Sequence, residues 1–166
     1  MNPPASGRTP PVAAVDIDGV LADVRHRLHL VEQRPKDWDA FFAAAPADPL
    51  LPRGADTVRR LAEVCRVVYL SGRPERCRAD TLAWLDRHEL PDGELRLRRP
   101  GDFRPARVTK VEILRELARE NAVSVLVDDD PEVCDAARAA GFDVLPADWM
   151  GGDERLRRAQ EVDGRT

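Results

Sequence analysis

Paired carboxylates are the first feature of this 166-residue chain that could do chemistry. Asp16 and Asp18 are separated by Ile17 and followed by Gly19; Asp128, Asp129 and Asp130 stand together after a run of apolar residues. Between the two groups lie Ser71-Gly72-Arg73 and an isolated lysine, Lys110. Alternate residues of an extended segment share a face, so Asp16 and Asp18 project together. In such a pair one carboxylate can attack as a nucleophile while the other trades a proton with the reacting group. Several carboxylates also form the hard-oxygen shell that Mg²⁺ prefers. A hydroxyl and a lysine suit the oxygens of an anion. Lys110 reads as a first-turn residue of a helix, where a cation opposes the macrodipole unless an anion binds there with it.

Each feature alone has a plain explanation. A single DxDG is as often a strand-ending turn as a site, Ser71 is commonly a turn residue, and a lone lysine is usually solvated. Asp130 is explained by its place before Pro131, as the N-cap of a helix. Separate explanations do not account for all the features occurring in this order at one end of a sheet.

The elements that would place them there can be read from periodicity. VAAVDID (12–18), RVVYLS (66–71), VSVLVDD (123–129) and FDVLP (142–146) are short, β-branched and apolar, the pattern of buried parallel strands; ELRLR (94–98) is a weaker, alternating fifth. Helical spacing links Val58, Leu61, Ala62 and Cys65, then Ala79, Leu82 and Ala83, then Val111, Leu114, Leu117 and Ala118; a further helix spans 131–140 and stops at Gly141. Alternating strands and helices imply an α/β fold, a Rossmann-like open parallel sheet with ligands at the carboxyl ends of the strands. From Gly19 to Pro52 the connection is far longer than the usual 2–6 residues. It carries helical pieces near 24–33 and 37–45 and an aromatic group, Trp38, Phe41 and Phe42, and reads as a small cap inserted after the first strand, over about 20–52. The expected organisation is a disordered proline-rich leader (1–11), one domain over 12–150, and a polar tail (151–166) with at most a short surface helix.

Composition limits the function classes. A hydrophobic share of 43% fills a core, and no run approaches the ~18 apolar residues of a membrane span. The net charge of −4 argues against a nucleic-acid coat protein while leaving room for a local basic groove. Three scattered cysteines without CxxC spacing point to a reducing compartment, hence a cytoplasmic protein with no zinc ribbon. Of 26 basic residues only Lys36 and Lys110 are lysines. Such an excess of arginine beside abundant alanine is the mark of a GC-rich coding bias, so single arginines are weak evidence.

DIDGVLAD, LSGRP, a lysine opening a helix, and VDDD after an apolar strand together resemble the four motifs of the haloacid dehalogenase-like phosphohydrolases, over residues 12–148. The wording DGVLADVRHRLHL with KDWDAFF, SGRP and RRPGDFRP is similar to the 3′-phosphatase domain of polynucleotide kinase-phosphatases. The resemblance implies an Mg²⁺-dependent phosphomonoester hydrolase. Asp16 would attack phosphorus to form an aspartyl-phosphate, and Asp18 would protonate the leaving alcohol and then activate water. Ser71, backbone amides near Gly72, and Lys110 would hold the phosphoryl oxygens. Mg²⁺ would take Asp16, the carbonyl of Asp18, and Asp129 or Asp128. Arg27 and Arg73 fall where the resemblance implies substrate contacts, and Arg98 and Arg99 lie in a basic segment, 96–110, that would line a nucleic-acid channel. The chain departs from the pattern at Asp130, where arginine is usual, and at Ala106, where an acid often stands four residues before the lysine.

The substrate expected is a phosphorylated nucleotide or nucleic-acid end, with a separate kinase or ligase as partner; the alternative is a nucleoside monophosphate or sugar phosphate. A receiver-type signalling domain fails on order, because its lysine follows the acidic sites, and a purely binding module would have no use for both Asp16 and Asp18. No GxxxxGK[ST] loop is present, so no kinase activity is expected of the chain itself.

Overall fold

The computed structural model describes residues 9–166, so the leader expected over 1–11 falls largely outside the described residues; Thr9–Pro11 have no regular structure. The strands are β1 (Val12–Val15), β2 (Arg66–Pro74), β3 (Gly93–Arg98), β4 (Val123–Asp128) and β5 (Val144–Pro146). They form one parallel sheet in the order β3-β2-β1-β4-β5. The weak candidate ELRLR is a full member, β3. It pairs with β2 from Val67–Gly93 to Leu70–Arg96 and again at Pro74–Arg98.

The sheet is covered on both sides, which is why its strands read as apolar runs. Val15, Tyr69 and Val127 pack on one face with Val58 of α3 (Pro52–Ala62) and Trp84 of α4 (Arg78–Arg87). Ala14, Leu70 and Leu126, one residue away in each strand, pack on the other with Leu114 of α5 (Ala106–Ala118) and Val133 of α6 (Pro131–Ala139). Asp130 caps α6 by accepting from the Glu132 N–H at 3.0 Å, with Pro131 in the first turn, and Gly141 follows the helix at φ +91°, as the sequence suggests.

Three boundaries differ from expectation. Strand β1 ends at Val15, not 18. The Asp16 N–H still donates to the Val127 carbonyl at 2.9 Å, but the chain then turns, with the Val20, Leu21 and Ala22 amides all donating to the Ile17 carbonyl. Gly19, at φ +82°, lies against the Asp129 carboxylate, which a Cβ would overlap at 2.3 Å. Helix α5 begins at Ala106, so Lys110 lies one residue beyond the first turn. The tail is also not a surface appendage. It forms α7 (Glu154–Arg157) and a π-helical turn (Arg158–Val162), buries Leu156, Ala159 and Gln160, and returns to the carboxyl edge of the sheet.

The insertion after β1 folds as a cap of short helices, α1 (His29–Glu32) and α2 (Trp38–Ala43), with 3₁₀ turns at Arg25–Arg27 and Ala45–Ala47. Phe41 and Phe42 are buried and stack edge-on to each other, so they are the cap's own core; Trp38 is half-buried above them.

Candidate active site

The carboxyl ends of β1, β2 and β4 bring the polar residues together. Lys110 is 2% exposed, and its Nζ lies 2.8 Å from Asp16 Oδ2 and 2.7 Å from Asp128 Oδ2. The anion that offsets this lysine is therefore carboxylate. Asp16 Oδ1 accepts from the Ile17 N–H at 2.8 Å, whereas Oδ2 is buried without a hydrogen bond of good geometry. Asp128 Oδ1 accepts from the Asp130 N–H at 3.0 Å, and Asp129 Oδ1 receives only Gln160 Nε2, at 3.3 Å. Ser71 Oγ, buried at the end of β2, accepts from the Arg73 N–H at 3.2 Å, leaving its own O–H to donate.

Asp16, Asp128 and Asp129 each offer an oxygen within 4.8 Å of the others. Burial, aided by the Asp128 charge, outweighs Lys110 and pushes the Asp16 carboxyl up to about 7. Burial, then Asp16 and Asp128, hold Asp129 well above the usual carboxylate range. Burial also raises Asp128, against the pull of Lys110. Acids crowded this way, with an orphaned oxygen among them, lack positive charge. A divalent cation fits that need, and hard oxygens are the donor set for Mg²⁺.

Asp18 has the opposite surroundings. Its carboxylate turns from the acid cluster toward two buried guanidiniums. Arg73 donates to Oδ1 through Nε (2.9 Å) and Nη2 (2.6 Å), and Arg27 through Nη2 (3.1 Å). Burial alone would raise Asp18, but Arg73 and then Arg27 override it and hold the group far below the usual range. Both arginines also clasp Asp48, at the end of the cap. Arg27 reaches it through Nε and Nη2, each at 2.8 Å, and Arg73 through Nη2 at 2.9 Å; His26 Nε2 lies 2.7 Å away. Arg27 and Arg73 thus spend their guanidiniums on carboxylates and, at 0% and 1% exposure, do not line an open pocket as substrate contacts would.

The basic segment differs from an open channel too. Arg98 is buried and donates to the carbonyls of Gly72, Asp102 and Arg104, so it shapes the loop after β3. Arg96, Arg104 and Arg107 pair with Glu116, Asp102 and Glu112, and Glu132 and Glu161. Arg99 is exposed beside Glu116 (3.5 Å) and lines a groove with Phe42, Arg76, Phe103 and Arg165.

Sequence reasoning missed Asp48, Gln160 and Thr166. Thr166 is 2% exposed and its hydroxyl donates to Asp18 Oδ2 at 2.6 Å. Asp48 is one acid in an alanine- and proline-rich stretch, AAAPADPLLP (43–52), and the tail has no apolar period, so neither carried a signal; only the length of the insertion hinted that it held site residues.

Residues 10–149 match the family described as the polynucleotide kinase PNKP phosphatase domain. No curated protein matches. Among solved structures, a chain of the Pnkp1/Rnl/Hen1 complex superposes with a TM-score of 0.69 at 22% identity, over 85% of this chain and 47% of that one. A chain of the Pnkp1/Rnl/Hen1 RNA repair complex gives 0.66 at 25% identity, over 82% and 42%. The haloacid dehalogenase-like hydrolase SP0104 from Streptococcus pneumoniae gives 0.57 at 16% identity, over 91% of each chain. The protein spans less than half the length of the first two chains, and such identities speak for the fold. The family match covers most of the sequence, so this chain belongs to the polynucleotide kinase PNKP phosphatase-domain family, a haloacid dehalogenase-like phosphatase on a Rossmann-like sheet.

Proposed function

We propose that the protein hydrolyses phosphomonoesters at nucleic-acid or nucleotide 3′ ends, with Mg²⁺ and through an aspartyl-phosphate on Asp16. The observation that carries this reading is the division of the carboxylates. Asp16, Asp128 and Asp129 form an electron-rich cluster on Lys110, whereas Asp18, set apart, is held by arginines. Asp16 would attack phosphorus with Oδ2, the oxygen beside Lys110 Nζ, while Ser71 and Lys110 hold the phosphoryl oxygens. Mg²⁺ would be held by Asp16, the Asp18 carbonyl and Asp129, which has fewer internal partners than Asp128, and it would supply the charge that lets these acids ionise together beside a phosphate dianion. Asp18 rests ionised, the form that draws a proton from water in the second step. An arriving phosphate places negative charge near it and favours the proton it needs as an acid in the first.

The family match supports a nucleic-acid substrate, and the likeness to chains of the Pnkp1/Rnl/Hen1 complexes, one of them an RNA repair complex, supports work alongside partner enzymes. One observation favours a small-molecule phosphate instead: Arg76, Arg96, Arg99, Arg104 and Arg107 each already have an acidic partner, which leaves little uncommitted positive charge to meet a strand. Phosphate release with Mg²⁺ from 3′-phosphate oligonucleotides, 3′- and 5′-mononucleotides and sugar phosphates separates the two. The oligonucleotide should give the highest kcat/KM, and Asp16→Asn should lose about a thousandfold or more on every substrate. A preference for sugar phosphates would overturn the substrate class, and a fully active Asp16→Asn the mechanism.

A further inference from the structure

The residues after the π-helical turn enter the site. Asp163 bonds Lys36 of the cap at 2.5 Å. Gly164 takes φ +58° and passes so close under the Phe103 carbonyl that a Cβ would lie 2.0 Å from its oxygen. The Arg165 guanidinium sits between two aromatic faces, 4.2 Å from the Phe103 ring centroid and 5.4 Å from that of Trp38, bridging the cap to the loop after β3. Thr166 then reaches the floor. Its backbone lies against Gly72, and its hydroxyl donates to Asp18 Oδ2. That hydroxyl is a secondary alcohol in hydrogen-bond contact with the residue that would hand a proton to a departing alcohol.

We propose that residues 163–166 are a displaceable occupant of the active site, filling the leaving-alcohol seat and the mouth above it, so that a phosphomonoester binds only by expelling them. This rests on the phosphatase reading of the site. Two contrasts favour displacement over a permanent role. Residues 154–162 are anchored by buried Leu156 and Ala159, whereas residues 163–166 bury no large apolar side chain and hold on by polar and cation–π contacts. Val162, at the junction, is 75% exposed, and the backbone ties from residues 163–166 to the turn before them are two hydrogen bonds, the Asp163 N–H to the Arg158 carbonyl (3.0 Å) and the Arg165 N–H to the Ala159 carbonyl (2.9 Å), so displacement unpacks no apolar side chain. Substrate and segment compete, because Thr166 fills the space between Gly72 and Asp18 into which the ester oxygen would leave phosphorus, taking the Asp18 proton, as Asp16 attacks.

When the competent form is a minority, apparent affinity falls by its fraction. Removing residues 163–166 should therefore lower KM for p-nitrophenyl phosphate and for a 3′-phosphate oligonucleotide by about tenfold and leave kcat within about twofold. The full-length Gly164→Val should shift KM the same way, because its side chain cannot pass under the Phe103 carbonyl. A synthetic peptide of residues 158–166 should inhibit the shortened protein competitively, and the same peptide with valine in place of the threonine should inhibit less. An unchanged or raised KM in both variants, or a collapse of kcat with the fold intact, would make the segment a fixed part of the site and overturn the proposal. Absence of Mg²⁺-dependent hydrolysis in the parent protein would instead take down the phosphatase reading, and the proposal with it.

Discussion

Asp18 lies between two guanidiniums and one hydroxyl, and its behaviour follows from that. Held as a carboxylate, it is well suited to the second half of a two-step reaction, in which water must lose a proton, and it needs the substrate's own charge for the first. The expected result for Asp18→Asn is therefore asymmetric. With p-nitrophenyl phosphate, whose leaving group needs no proton, rapid mixing should show a burst of nitrophenolate equal to the enzyme present, followed by turnover slowed about 10²–10⁴-fold. An alkyl phosphate should show no burst. Bursts from both, or from neither, would remove Asp18 from proton transfer. Asp16, Asp18, Ser71, Lys110 and the Asp128-Asp129 pair were legible in the sequence because each is a chemically specific type at a strand end or helix start. The use of Arg27 and Arg73 was not. An arginine's number says nothing of which carboxylate it will meet, and these meet one, Asp48, that no local pattern marks.

The cap and the sheet share an apolar core and are also joined through that carboxylate. Asp48 brings Arg27 from the start of the insertion and Arg73 from the end of β2 onto one buried group, and its carbonyl accepts from Trp84 Nε1 of α4 at 2.9 Å. Replacing it leaves two buried guanidiniums sharing only Asp18, and breaking a buried ion pair from one side costs about 3–5 kcal/mol. Asp48→Ala should lose that much in urea unfolding, whereas Arg27→Met with Asp48→Leu should recover part of it; a loss under about 1 kcal/mol would mean that the cap is held by its apolar core alone. The strands and the four long helices followed from periods of 2 and 3.6, including α6 with its cap and stop. The cap's short helices fall within the helical pieces read at 24–33 and 37–45, with only their internal breaks unseen, and the end of β1 was misplaced because Asp16–Asp18 keep an extended apolar pattern while the following amides turn to the Ile17 carbonyl. The tail was misjudged because polar pairing, not apolar burial, holds its last residues.

For the molecule as a whole, the acid cluster makes stability depend on pH and metal in a set direction. Asp16 titrates near 7 in the metal-free protein, against 3.8 unfolded, so the folded state carries an extra proton between those values. The stability this confers is complete below about 4 and is lost as pH rises toward 7. Metal-free protein should therefore melt at a lower temperature at pH 7.5 than at pH 5.5. Added Mg²⁺ should raise the melting temperature more at pH 7.5, where the carboxylates are free to bind it; an equal rise at both pH values would place the cation elsewhere. Among the described residues no helix is long and apolar enough to cross a membrane, and all three cysteines are buried and unpaired. The order of the sheet has a temporal consequence. Its central strand, β1, pairs with β2 some fifty residues later in the chain and with β4 more than a hundred later, so closing these ladders requires long loops to be tied. Asp16, Ser71 and Asp128 sit at the carboxyl ends of those two seams. On a ribosome Asp16 emerges more than a hundred residues before Asp128 and Asp129, so it waits for Ser71, Lys110 and that acid pair until all have followed. The cluster that the proposed hydrolysis needs is thus assembled late in synthesis.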